Sequence, residues 1–112
     1  AAQLVRHVDR TLPAAGTVLF TGEEARLFEH YAPYFRAGRP GTAPQLAREV
    51  ALVSAAGAAV YITSAAPGVE QLRGRLVPLA RFECSRLLRS HAHTLVLFRF
   101  VPEGASRPES VL

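Results

Sequence analysis

The sequence predicts an α/β domain: a small three-layer sandwich of about four strands, made of a parallel pair plus a C-terminal antiparallel hairpin, with helices on both faces. Three observations carry this. The stretch Gly57-Ala-Ala-Val-Tyr-Ile-Thr63 holds no charge and no alternation, the signature of a strand covered on both faces. A second short apolar run, Thr17-Val-Leu-Phe20, lies upstream with helical patterns between the two, which implies a parallel pair joined by a crossover. Residues 79–88 and 94–101 then switch to a period of two, which implies a hairpin.

With 112 residues, 49% of them hydrophobic and 20% charged, the chain has the size and balance of one globular domain. We place that domain at residues 1–102 and a polar tail at 103–112. The net charge of +4 comes from thirteen arginines and no lysine, spread along the chain rather than run together, so a solvated surface is the reading of this charge. Cys84 is the single cysteine, which excludes an internal disulfide and a cysteine-built zinc site. Twenty residues without charge lie between Glu49 and Glu70, but their continuous apolar part is only Val50 to Ile62, too short for a membrane span. Helix, turn and strand account for it.

Residues 2–11 place Leu4, Val5, Val8 and then Leu12 on one helical stripe with Arg6, Asp9 and Arg10 opposite, an amphipathic first helix. Pro13-Ala-Ala-Gly16 ends it and leads into the strand Thr17–Phe20. Thr21-Gly-Glu-Glu24 fits a capping box, and the following helix carries Leu27, Phe28, Tyr31, Tyr34 and Phe35, an aromatic stripe expected in the core and ended near Pro33. Residues 36–43 form the clearest loop, rich in Gly and Pro. Thr42 or Ala43 caps a third helix, with Pro44 in its first turn, that runs to Gly57. The buried strand follows, and a fourth helix is expected over 69–77 with Val69, Leu72 and Leu76 inward. In the hairpin, a loop from Arg89 to His93 would set Phe82 opposite Phe100, Cys84 opposite Phe98 and Glu83 opposite Arg99.

In an open α/β sheet, ligands collect beyond the carboxyl ends of the parallel strands. That edge carries Thr21 and Gly22 after the first strand, and Thr63 and Ser64 after the second. Their amides and hydroxyls are candidates for holding an anionic ligand, against the simpler role of capping helices. Arg36 and Arg39 in the neighbouring loop complete the candidate site. That loop lacks the Gly-Lys-Ser/Thr ending of a phosphate-binding P-loop.

Other chemistry finds less support. Glu23 and Glu24 are adjacent, so on a helix they diverge rather than converge on one bond. His91 and His93 supply too few ligands for a metal, Cys84 reads as a small core residue, and no serine sits in a Gly-x-Ser-x-Gly turn. We therefore assign no catalytic residue, no metal and no cofactor to the chain. A nucleic-acid face built from Arg36, Arg39, Arg86 and Arg89 with Tyr31 and Tyr34 draws on several surfaces at once, which does not favour it.

Two stretches carry a resemblance. Thr11-Leu-Pro-Ala-Ala-Gly-Thr-Val-Leu-Phe-Thr21, followed by an aromatic helix, and Val53-Ser-Ala-Ala-Gly-Ala-Ala-Val-Tyr-Ile-Thr63, followed by a closing strand pair, resemble the soluble C-terminal domain of bacterial multi-spanning glycosyltransferases. The similarity runs from about residue 4 to residue 101. It implies an extracytoplasmic module of a membrane enzyme that moves sugars from a polyprenyl-phosphate carrier. The catalytic acid of such enzymes lies in their membrane part, so the resemblance gives this chain a recognition or accessory role, with the membrane portion of the parent or a protein partner as its contact. The alternative is an independent cytoplasmic α/β domain that binds a phosphate-bearing small molecule or a protein partner.

Overall fold

The computed structural model describes residues 2–22, 25–85 and 92–103. In chain order the elements are helix α1 (Ala2–Thr11), strand β1 (Thr17–Phe20), helix α2 (Ala25–Tyr31), strand β2 (Arg36–Gly38), helix α3 (Ala43–Ala55), strand β3 (Ala59–Thr63), a 3-10 turn (Val69–Gln71), and strands β4 (Gly74–Ser85) and β5 (Ala92–Pro102). The strands form one mixed sheet in the order β2-β1-β3-β5-β4. β1 runs parallel to both β2 and β3, while β5 is antiparallel to β3 and β4. The expected α/β sandwich is therefore present, with five strands where about four were anticipated.

From β1 the chain moves outward through α2 to β2, then returns across β1 through α3 to β3. Crossovers of one hand taken in opposite directions put their helices on opposite faces. Leu4, Val5 and Val8 of α1 and Phe28 of α2 accordingly bury against Leu19, Tyr61, Phe82, Leu95 and Leu97 on one side of the sheet. Leu46, Val50 and Val53 of α3 bury against Val18, Phe20, Val60, Ile62 and Phe100 on the other. Successive strand residues face opposite ways, so the unbroken apolar pattern of β1 and β3 is what two covered faces require.

Local chemistry sets the boundaries. Thr42 caps α3, its hydroxyl accepting from the Gln45 amide at 3.2 Å, and proline stands in the first turn. Gly57 leaves α3 with φ at +88°, a conformation that glycine adopts without steric cost.

Three expectations are corrected. The loop anticipated at 36–43 begins with β2, because Arg36, Ala37 and Gly38 find a ready partner in the edge of β1. The helix anticipated over 69–77 is only the turn Val69–Gln71. Gly74, at φ +150°, opens β4 instead, and Leu76 pairs opposite Phe100. The hairpin register also differs: Phe82 lies opposite Leu95, Glu83 opposite Thr94 and Cys84 opposite His93. β4 and β5 meet with Ser85 opposite Ala92, which places each of these three residues five positions from its anticipated partner; an irregularity between Pro78 and Ala80, where proline has no N–H for the ladder, then shifts the pairs beyond it by one residue more. Arg99, expected beside Glu83, instead lies opposite Tyr61 on β3. Its guanidinium sits 5.2 Å from the centre of the Tyr61 ring, and Nη1 donates to the Tyr61 hydroxyl at 3.2 Å.

The expected partners Glu23 and Glu24, the loop residues Arg86, Arg89 and His91, the side chains of Cys84 and His93, and the tail beyond Glu103 lie outside the described residues.

Candidate functional site

The carboxyl ends of β2, β1 and β3 meet at one edge, and the sheet order reverses across β1, which makes this the switch point of the parallel half. Thr21 follows β1 and Thr63 ends β3. Their Oγ1 atoms are 2.7 Å apart, both residues have no exposed surface, and either hydroxyl can donate to the other. Thr63 Oγ1 also accepts from the Ala65 amide at 3.3 Å, and the Thr21 amide extends the β1–β2 ladder by donating to Gly38 O at 3.0 Å. Gly22 presses on the loop after β3: a Cβ there would lie 3.0 Å from Ala65 O and 3.1 Å from Ala65 Cβ. Between the two threonines the strand ends are thus closed by contact, and the hydroxyls satisfy each other.

Ser64 is exposed beside this pair. Its amide donates to Val96 O at 2.9 Å and its Oγ accepts from the Val96 amide at 3.0 Å, so the side chain continues the β3–β5 ladder by one step. Arg39 follows β2 directly and stands at the same edge. Arg36 does not. It projects from β2 onto the α3 face, where it lines a hollow of about 210 Å³ with Phe20, Glu49, Leu52 and Val53. The structure therefore brings Thr21, Gly22, Thr63, Ser64 and Arg39 to one edge and leaves Arg36 on a face.

A different surface draws attention on the opposite side. Tyr31 and Tyr34, expected in the core, are 64% and 60% exposed, while Phe28 and Phe35 of the same stripe are buried. α2 stops at Tyr31, two residues before Pro33, so Tyr34 no longer follows the helical phase that would turn it inward. The Tyr34 hydroxyl donates to the Asp9 carboxylate of α1. Tyr31, with Val5, Arg6 and Asp9, lines a hollow of about 310 Å³, and the His30 ring packs edge-on against Tyr31 at 4.6 Å. Two exposed aromatic rings, a carboxylate and a guanidinium thus share one surface. The signal for it in the sequence was the identity of the aromatics: tyrosine carries a polar tip that suits a wet surface, and phenylalanine does not. Arg36 lies on the other face from Tyr31, so these two members of the anticipated nucleic-acid set do not share a surface.

Among the described residues, no group of three or more His, Cys, Asp or Glu side chains is placed to hold a metal ion, and no helix is long and apolar enough to cross a membrane. Comparison with protein-family models, curated proteins and solved structures finds no match to the chain.

Proposed function

We propose that this domain is a non-catalytic recognition module of a membrane glycosyltransferase, acting at the extracytoplasmic face and reading a sugar-bearing acceptor with its α1–α2 surface. The resemblance of residues 11–21 and 53–63 supplies the family. The observation that carries the recognition role is the exposed pair Tyr31 and Tyr34 beside Arg6 and Asp9. A flat aromatic ring offers a large contact at little conformational cost and suits the C–H face of a sugar ring. The Asp9 carboxylate accepts from sugar hydroxyls, and the Arg6 guanidinium donates to them.

Titration with neutral oligosaccharides, followed by amide chemical shifts, tests this. Binding in the millimolar range with shifts centred on α1 and α2, weakened about tenfold in Tyr31→Ala, Tyr34→Ala, is the expected result. Equal binding by that variant, or shifts at the strand ends instead, would overturn it. The alternative, a phosphate-bearing small molecule at the strand ends, is less well served. It would have to open the Thr21–Thr63 hydrogen bond and part Gly22 from Ala65 before either hydroxyl could reach it.

A further inference from the structure

A further hollow lies on the α3 side of the sheet, away from both surfaces above. It measures about 440 Å³, within the usual size of a small-molecule site. Its floor is apolar: Val50 and Phe100 are 3% exposed, and Leu72 is half-buried beside them. Ala47 and Ala51 bring only methyl groups to the α3 wall, which leaves the room open. Gly74 contributes by what it lacks. A Cβ there would come within 2.7 Å of Phe100 Cε1 and 2.8 Å of Cζ, so glycine allows the phenylalanine ring to settle against β4.

Three polar residues, Ser54, Arg73 and Glu103, also line the hollow. Ser54 Oγ is shielded from solvent and has no hydrogen-bond partner, although a serine within a helix commonly bonds to the carbonyl one turn back. Arg73 and Glu103 stand just outside Gly74 and Pro102, the last pair of the β4–β5 register, and both line the hollow. Opposite charges at facing positions of neighbouring strands ordinarily pair with each other. Here neither forms an ion pair with any described residue.

We propose that this hollow binds a free apolar α-amino acid, of the leucine or phenylalanine type. Such a ligand carries a carboxylate and an ammonium on one carbon, which match in charge the guanidinium of Arg73 and the carboxylate of Glu103 in the lining of the hollow. Its side chain covers Phe100, Leu72 and Val50. The hydroxyl of Ser54 gains a partner in the bound ligand. An apolar floor with few convergent polar groups is the pattern of a small-ligand site, and the two opposite charges select a zwitterion over an anion or a cation. The site is independent of the α1–α2 surface and of the function proposed for it.

Titration of the protein with L-phenylalanine, read by amide and methyl chemical shifts, tests the assignment against glycine, phenethylamine and N-acetyl-phenylalanine. These lack the apolar body, the carboxylate and the ammonium in turn. Saturable shifts at Val50, Leu72 and Phe100 with L-phenylalanine, and affinity weaker by about tenfold for each incomplete analogue, are expected. Arg73→Gln and Glu103→Gln, both exposed positions, should each weaken L-phenylalanine by a similar factor while leaving the spectrum of the free protein unchanged. Glu103→Gln should also abolish the preference over N-acetyl-phenylalanine. Absence of shifts at about 10 mM ligand, or equal binding of all four compounds, overturns the proposal.

Discussion

The closed edge of the parallel strands makes a measurable prediction through Thr21 and Thr63. Each hydroxyl is fully buried and 2.7 Å from the other. Thr21→Val removes one partner and leaves Thr63 Oγ1 with only the Ala65 amide, at 3.3 Å. A net hydrogen bond is worth about 1 kcal/mol and a buried polar group left unpaired costs about 1–3 kcal/mol, so each single valine substitution should destabilise by roughly 1–3 kcal/mol. Thr63→Val sits at the upper end because the Ala65 amide loses its acceptor as well. The double variant removes both hydroxyls together and leaves neither orphaned, so its loss should fall short of the summed singles by about 1–2 kcal/mol. Thr21 holds a further contact of its own, which makes the coupling energy, rather than either single value, the quantity to read. Urea denaturation of the four proteins measures it, with equal slopes as the check that only stability has changed. Additivity within about 0.5 kcal/mol would refute the account of mutually satisfied hydroxyls. So would stabilisation of the wild type by inorganic phosphate that Thr21→Val abolishes, since the hydroxyls would then be serving a ligand.

Two glycines that both have positive φ should respond differently to alanine. At Gly57, φ is +88° and nothing lies within 4 Å of an added Cβ, so only the strain of the left-handed backbone is felt, about 1–2 kcal/mol; at Gly68, φ is +75° and the Cβ would lie 2.2 Å from Ala43 Cβ, so α3 must shift and the loss should exceed roughly 3 kcal/mol. Thermal unfolding ranks them, and equal losses would contradict the contact. Leu97→Ala should cost about 2–5 kcal/mol, because the side chain is fully buried, whereas Leu79→Ala, at 47% exposure, should cost under about 0.5 kcal/mol by the same assay. The Asp9 carboxylate, by accepting a hydrogen bond from the Tyr34 hydroxyl and by its charge, raises the Tyr34 pKa above the ordinary tyrosine value of about 10. A raised folded pKa means that the contact stabilises the fold below that value and stops doing so as pH climbs through it. Carbon-13 tyrosine resonances should show Tyr34 titrating later than in Asp9→Asn, and coincident titrations would remove Asp9 as the cause.

The elements that could be read from the residues are those whose pattern is internal to them. α1 shows its stripe, α3 its cap and proline, and β3 its uncharged run, and each stands within a residue or two of its expected bounds. β2 could not be read this way. Arg36, Ala37 and Gly38 have no strand preference of their own and become a strand because the β1 edge offers hydrogen bonds. Val69, Leu72 and Leu76 fit a helical spacing, but Gly74 between them belongs to a strand start, and a glycine at φ +150° overrides a three-point pattern. The hairpin is legible but its register is not, because the register depends on where the two strands meet: Ser85 opposite Ala92 moves every anticipated partner by five residues, and the extra residue near Pro78 shifts the pairs beyond it by only one more. At the candidate site the positions were legible and the bonding was not. Spacing along the chain shows that Thr21 and Thr63 end neighbouring strands, but not that 2.7 Å separates their oxygens. Helical phase points Tyr34 inward but ends with α2 at Tyr31, and Tyr31 itself, still within the helix, is exposed while Phe28 is buried.

The place of β3 has a consequence for how the chain matures. It is the one strand joined to both halves, parallel to β1 on one edge and antiparallel to β5 on the other. β1, β2, α3 and β3 can assemble once residue 63 has left the ribosome, but the outer edge of β3 then remains bare until β5 is made some three dozen residues later. α1 waits as well, because much of the surface it covers belongs to Phe82, Leu95 and Leu97. The nascent intermediate therefore carries an open strand edge and an unburied amphipathic helix together, both prone to wrong pairing with another chain. Synthesis paused between β3 and β5 should yield aggregation, and a peptide spanning β4 and β5 supplied in trans should relieve it.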